Sequence, residues 1–281
     1  MLVALTCTRD DFFRFERTIF QSLENFRACF GSAVFFLIVF QDKSLEDFDF
    51  SVTFLERFPE DSYLFKKVNY LSVSRARNDA IQYASNNGFD SIIFHDVSLV
   101  YGTAYLDWVK SKSHCMLLSG GYIFSDSLDS LDSSGSEGEV YFKDFDDIYL
   151  WSYVFPLSAD FPFFDERFGP GESSIFTSGE DFIFLRRFFQ LNPDMRYFVR
   201  FLGTGILHPS RPKNYSKHLA YAEGQGKIHQ IYLLEEKSLY AVWRCVLFFG
   251  NALLRVLLLR KSSLRIIFLR IKGFFDYKIK V

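Results

Sequence analysis

A mostly parallel β-sheet covered by helices on both faces is the architecture this sequence predicts, and three observations carry it. Apolar runs recur at residues 2–6, 34–40 and 91–94 and read as buried strands. Segments 12–26 and 74–85, with helical spacing and polar faces, alternate with them. Hydrophobic residues make up 49% of the 281, enough for one sizeable core. Near-continuous apolar strands alternating with amphipathic helices imply strands buried on both faces. Such sheets bind ligands beyond the carboxyl ends of their strands. That rule places residues 6–10, 41–44 and 95–98 at a candidate site, and with them Thr6, Arg9, Asp42, His95 and Asp96.

Composition bounds the class further. Cys7, Cys29, Cys115 and Cys245 are far apart and form no ligand pairs, so neither a disulfide framework nor a zinc site is expected, and a reducing cytosol is the natural compartment. Residues 1–7 are apolar but lack a basic flank and run at once into Arg9, Asp10 and Asp11, which suits a first buried strand rather than a signal peptide. The net charge of −2 conceals an asymmetry: residues 239–281 hold nine Lys or Arg against one acid, a balance of +8, and the preceding 238 residues balance at −10. An acidic body and a basic, apolar tail present two different surfaces.

The tail's longest uncharged run, 245–254, falls short of the ~20 apolar residues that span a bilayer, so a segment lying on a surface is expected rather than one crossing it. On a helix, Arg244, Asn251 and Arg255 share one face, while Val246, Leu247, Phe249, Leu253, Leu254 and Leu257 cover much of the rest. Ser262 and Ser263 separate this helix from a second basic and apolar segment, 264–275. Two readings fit: an anchor on an anionic membrane, where each base contributes on the order of 1 kcal/mol, or helices packed on the body or in an oligomer interface. The chain thus divides into an α/β unit, 1–230, and a helical basic tail, 231–281. Residues 125–147, rich in Ser, Asp and Gly, read as a surface loop or substrate lid.

Two stretches carry candidate chemistry. The loop Phe163-Phe164-Asp165-Glu166-Arg167-Phe168-Gly169-Pro170-Gly171 leads to Ser178-Gly179-Glu180-Asp181 and an apolar run, 182–189, so two adjacent carboxylates fall where a helix begins. Ser178 with Asp181 also approximates a capping box, in which the carboxylate only satisfies backbone N–H groups. Upstream, Ser72-Val73-Ser74-Arg75-Ala76-Arg77-Asn78-Asp79-Ala80-Ile81 precedes a strand that ends in His95-Asp96-Val97-Ser98. Arg77 suits a diphosphate or a neighbouring carboxylate, and Asn78 can tie a loop to the sheet.

In this order and spacing the motifs resemble glycosyltransferase family 2, a group with the GT-A (Rossmann-like) fold, over about residues 1–230. The resemblance implies a nucleotide-sugar site on Thr6, Arg9, Asp42, Arg77, Asn78, His95 and Asp96. It also implies that Asp181 is the general base that deprotonates an acceptor hydroxyl, with Glu180 positioning hydroxyls. A divalent metal, Mn²⁺ or Mg²⁺, is implied on Asp96 and on His208 of Gly203-Thr204-Gly205-Ile206-Leu207-His208-Pro209. Only one acid stands at 95–98, where many relatives carry two or three. Tyr221-Ala222-Glu223-Gly224-Gln225-Gly226-Lys227 resembles a Tyr-x-x-Gly-x-Gly element of bacterial polysaccharide transferases, in which Lys227 would reach the diphosphate; an ordinary glycine turn fits as well. The function implied is inverting transfer of a hexose from a nucleotide sugar, UDP-linked by resemblance, to a lipid-linked glycan in capsule or O-antigen synthesis. The setting would be peripheral, on the cytoplasmic face of the plasma membrane, with no nucleic-acid partner. The rivals are a degenerate protein that binds sugar nucleotide or glycan without turnover, and an assembly protein that recruits enzymes through a Phe-rich surface and the tail.

Overall fold

The computed structural model describes residues 1–43, 54, 56–132, 134–172, 174–209, 215–260 and 262–276. Its centre is a nine-stranded sheet in the order β3-β2-β1-β4-β8-β6-β9-β5, with β7 also paired to β9. The first half follows the alternation seen in the sequence. Strand β1 (Leu2–Thr8) leads into helix α1 (Arg9–Phe30), and β2 (Phe35–Gln41) lies parallel to β1. Helix α1 starts where Thr8 Oγ1 accepts from the Asp11 N–H at 3.2 Å while donating to the Asp11 carboxylate at 2.8 Å. Strand β3 (Tyr63–Val68) adds to the parallel edge, helix α2 (Val73–Asn86) crosses over, and β4 (Ser91–His95) pairs parallel with β1 on its other side. Sequence reading did not find β3, because an edge strand with exposed Leu64 and the pair Lys66-Lys67 lacks the continuous apolar signal.

The second half is mixed. A short β5 (Val100–Tyr101) and helix α3 (Thr103–Lys110) precede β6 (Leu118–Phe124), which runs parallel to the long β9 (Tyr197–His208). Strand β8 (Tyr153–Pro156) lies antiparallel between β4 and β6 and joins the two halves into one sheet. The segment expected to be a loop or lid instead contains β7 (Glu137–Tyr141), antiparallel to β9. Helix α4 (Glu180–Leu191) covers one face. The phenylalanines are mostly internal: one apolar cluster includes Phe12, Phe20, Phe26 and Phe36 against α1, and another includes Phe94, Phe155, Phe184 and Phe188 against α4. Among the described residues of the body, the exposed phenylalanines are Phe13 and Phe163.

Three helices close the described chain: α5 (Tyr215–Glu236), α6 (Leu239–Leu257) and α7 (Ser263–Phe274). The glycine element 221–227 is helical, not a turn. Gly226 lies so close to the Arg270 backbone, and Gly273 to the Glu223 carbonyl, that a Cβ at either position would collide with backbone. The two glycines let α5 and α7 cross at backbone contact. Helix α6 lays Ala241, Cys245 and Ala252 inward, with Phe248 stacked 3.7 Å from the His229 ring. Several of its other apolar side chains, including Val246, Leu253, Leu254 and Leu257, are exposed. Packing and an exposed apolar face therefore coexist in the tail. At 19 residues, with a mean hydropathy of 1.4 over its best window, α6 is long and apolar enough to cross a membrane by length and composition, so the length argument against a span does not hold.

Candidate active site

The site forms at the carboxyl end of β4, where α2, α4 and the loop between β8 and α4 meet. Asn78 ties that loop to α2: its amide donates to the Phe164 carbonyl at 3.0 Å and accepts from the Phe164 N–H at 2.7 Å. Ser74 Oγ donates to the Phe168 carbonyl at 2.6 Å. The buried Gln41, at the end of β2, accepts from the Ser72 N–H at 2.5 Å and fixes the start of α2 to the sheet. Asn78 is thus structural, holding the loop that delivers the carboxylates.

Helix α4 starts without a side-chain cap. Its N-cap is Gly179 at φ +105°, where a Cβ would also strike Ile228 at 2.6 Å, so only glycine fits. Ser178 turns away and donates to the Tyr221 carbonyl at 3.0 Å. The capping-box reading of Ser178 with Asp181 is therefore excluded by the geometry. Asp181 instead meets Arg77, whose Nη1 donates to Oδ1 at 2.6 Å.

One cation faces three carboxylates here. Burial by itself would lower the Arg77 pKa, but Asp181, Glu180 and Asp96 reverse this and raise it. Burial, then the charge of Asp181, pushes Glu180 up to about 7, against a partial offset from Arg77. Burial also raises Asp181, offset by Arg77 and by the backbone N–H of Leu150, which favours its charged form. Two carboxylates thus sit in one environment in which burial raises both, and the ion pair with Arg77 opposes that rise at Asp181. Tyr221 faces the same group: burial, then Glu180, Asp96 and Asp181, push its phenol up to about 12. In the sequence Tyr221 is visible only as part of a glycine element; the position of a helix from far along the chain is what places it here.

The other expected residues divide. Thr6, Arg9 and Asp42 are half-buried at the carboxyl ends of β1 and β2, with the Asp42 N–H bound to the Val68 carbonyl at 3.1 Å. His95 is not at the site. It is turned into the core, with Nε2 2.8 Å from Ser22 Oγ and its ring 5.1 Å from that of Tyr101. Burial lowers its pKa to about 4, so it stays neutral. Lys227 does not extend toward a diphosphate; it is buried, with Nζ 2.6 Å from Gln230 Oε1 and 2.8 Å from the Asp276 carbonyl, fastening α5 to the end of α7.

His208 ends β9 with Nδ1 2.8 Å from the Pro209 carbonyl and its ring 5.0 Å from that of Phe124 and 5.8 Å from that of Trp151. Among the described residues no group of three or more His, Cys, Asp or Glu could hold a metal ion. Asp96 and His208 by themselves do not make a cation shell.

No protein-family model and no curated protein sequence matches this chain. Solved structures match its fold. The mannosyltransferase PcManGT from Pyrobaculum calidifontis, in complex with GDP-Man and Mn²⁺, superposes with a TM-score of 0.54 at 10% identity, covering 99% of this chain and 87% of that one. S. aureus TarS 1-349 does so with a TM-score of 0.51 at 12% identity, covering 83% of this chain and 65% of that one. The chain thus spans slightly less than two thirds of the TarS structure. These likenesses show the fold, a mixed and mostly parallel sheet flanked by helices of the GT-A-like kind.

Proposed function

We propose that this protein is a glycosyltransferase that moves a hexose from a nucleotide sugar to an acceptor hydroxyl with inversion. The observation that carries this reading is the grouping of Arg77, Asp96, Glu180 and Asp181 at the carboxyl end of the sheet. Ion pairing keeps one carboxylate charged and available as a base, which inverting transfer requires. Asp181 spends Oδ1 on Arg77, so Oδ2 takes the acceptor proton as the acceptor oxygen bonds to the anomeric carbon. The bond to the diphosphate breaks on the opposite face, and its electron pair leaves with the diphosphate. Glu180, whose pKa burial and the charge of Asp181 raise to about 7, is the neighbour that hydrogen-bonds a sugar hydroxyl. A second reading exchanges the two, since a carboxylate at about 7 is itself well matched to general-base work.

The donor is UDP-linked by sequence resemblance, although the mannosyltransferase of similar fold holds GDP-Man with Mn²⁺. Further parts of the reading are a divalent cation completed by the donor's own oxygens and a lipid-linked glycan acceptor of capsule or O-antigen type. A peripheral place on the inner membrane face rests on the exposed apolar face of α6 and the bases Arg255, Arg260 and Arg265.

A thermal-shift panel of UDP- and GDP-hexoses, with and without Mn²⁺, followed by sugar transfer or donor hydrolysis, tests the core claim. Stabilisation by one donor with turnover supports it, whereas stabilisation without turnover for any donor returns the degenerate binding protein. Flotation with anionic and with neutral vesicles tests the tail; failure to bind anionic vesicles assigns it to packing.

A further inference from the structure

Resting on the reading of Asp181 as the base and a nucleotide sugar as the donor, we infer that Lys217 and Tyr221 of helix α5 hold the β-phosphate of the departing nucleoside diphosphate. The two belong to one stripe of α5, formed with Gly224 and Ile228 at i, i+4, i+7 and i+11 spacing. The later half of the stripe is pressed on the entry to α4: a Cβ at Gly224 would strike the Ser178 carbonyl, and one at Gly179 would strike Ile228. Thr177 Oγ1 donates to the Ala220 carbonyl at 2.5 Å, and Ser178 Oγ donates to the Tyr221 carbonyl at 3.0 Å. Helices α4 and α5 run in the same sense, since Gly179 meets Ile228 and Arg186 meets Glu235. Side chains lean toward the N-terminus of their own helix. Tyr221, two turns before Ile228, therefore stands in front of the start of α4, the end from which Glu180 and Asp181 project.

Neither residue is committed elsewhere. Lys217 is exposed, with Nζ over the Tyr221 ring at 5.4 Å from its centre. Among the described residues Lys217 has no ion pair and the Tyr221 hydroxyl no hydrogen bond. Other cations around the start of α4 are spent on acids, Arg77 on Asp181 and both Arg167 and Arg187 on Asp165.

The chemistry selects the ligand. One cation, Arg77, faces three carboxylates, so an incoming diphosphate needs positive charge from outside that group. The Tyr221 phenol, pushed up to about 12, keeps its proton near neutrality and is a hydrogen-bond donor. Aimed at the attacking hydroxyl, such a donor would engage the lone pair that Asp181 serves to free. Aimed at the leaving group, it stabilises the charge that builds as the bond to the anomeric carbon breaks. Strand β9 runs in the same sense as β4, both being antiparallel to β8 or parallel to β6, so the chain enters α5 from the sheet edge that carries Asp96.

Titration calorimetry on the full chain with UDP, UMP, GDP and GMP, all with Mn²⁺, tests this. The expected result is a preference for one diphosphate over its monophosphate that falls at least about fivefold in Tyr221→Phe and in Lys217→Ala. The preference returns in Lys217→Arg, and the monophosphate affinity is kept throughout. A preference unchanged in both Tyr221→Phe and Lys217→Ala, with sugar transfer intact, overturns the contact and leaves the transferase reading standing. Equal losses for diphosphate and monophosphate also overturn it, because the β-phosphate is then not what these side chains hold. A wild-type chain that binds none of the four nucleotides overturns the contact and the transferase reading together.

Discussion

Helix α4 takes part in two clusters, each with one arginine facing three carboxylates, and they behave differently. Around Arg186 every guanidinium nitrogen has a partner: Nε reaches Glu235 at 2.6 Å, Nη2 reaches Glu236 at 2.7 Å and Nη1 faces Asp144 at 3.5 Å. Around Arg77 the ion pair among the described residues is with Asp181, while Glu180 is left near 7 and Asp96 contributes further repulsion. The first is a brace between α4 and the end of α5. The second retains negative charge that a ligand can exploit, which is what distinguishes a site from a support.

The largest effect expected from breaking this contrast is in turnover. Asp181→Asn lowers sugar transfer by about 10²–10⁴-fold, the range for a general base, with little loss of folding stability; full turnover in that variant would remove Asp181 from the role. Next comes stability at the brace. Arg186→Leu leaves Asp144, Glu235 and Glu236 facing one another and costs about 3–5 kcal/mol in urea unfolding. If Arg186→Leu unfolds no more readily than wild type, the two clusters are not different in kind.

A smaller effect concerns pH. Glu180 has a folded pKa of about 7 against an ordinary 4.5, so its contribution favours the folded state below about 4.5 and is lost as pH rises through about 7. Glu180→Gln removes that slope and is relatively more stable than wild type at pH 8 than at pH 5. Parallel unfolding curves at the two pH values would contradict the assignment. The smallest effect lies at the helix crossing: Gly226→Ala forces α5 from α7 and costs about 1–3 kcal/mol, seen as a lower denaturation midpoint.

The parallel half of the sheet was legible because buried strands and amphipathic helices leave strong local periodicity; β1, α1, β2, α2 and β4 lie where the residues indicated. Arg77, Asp96, Glu180 and Asp181 were legible as motif positions, and the structure brings them together. His95 and Lys227 were misplaced for one physical reason. A residue adjacent to a motif can point either way, and burial direction is set by what packs against it: Ser22 and Tyr101 in one case, the end of α7 in the other.

From its own residues the chain determined an α/β fold, the alternation of its first half, the charge division between body and tail, and a pair of carboxylates at a helix start. Whether that pair caps the helix or faces a ligand was decided by tertiary structure. Gly179 leaves the helix without a side-chain cap, and Arg77, 104 residues away in the chain, takes Asp181. Local periodicity encodes which face of an element is buried. Which charges meet depends on contacts between distant segments, and those exist only once the sheet has assembled.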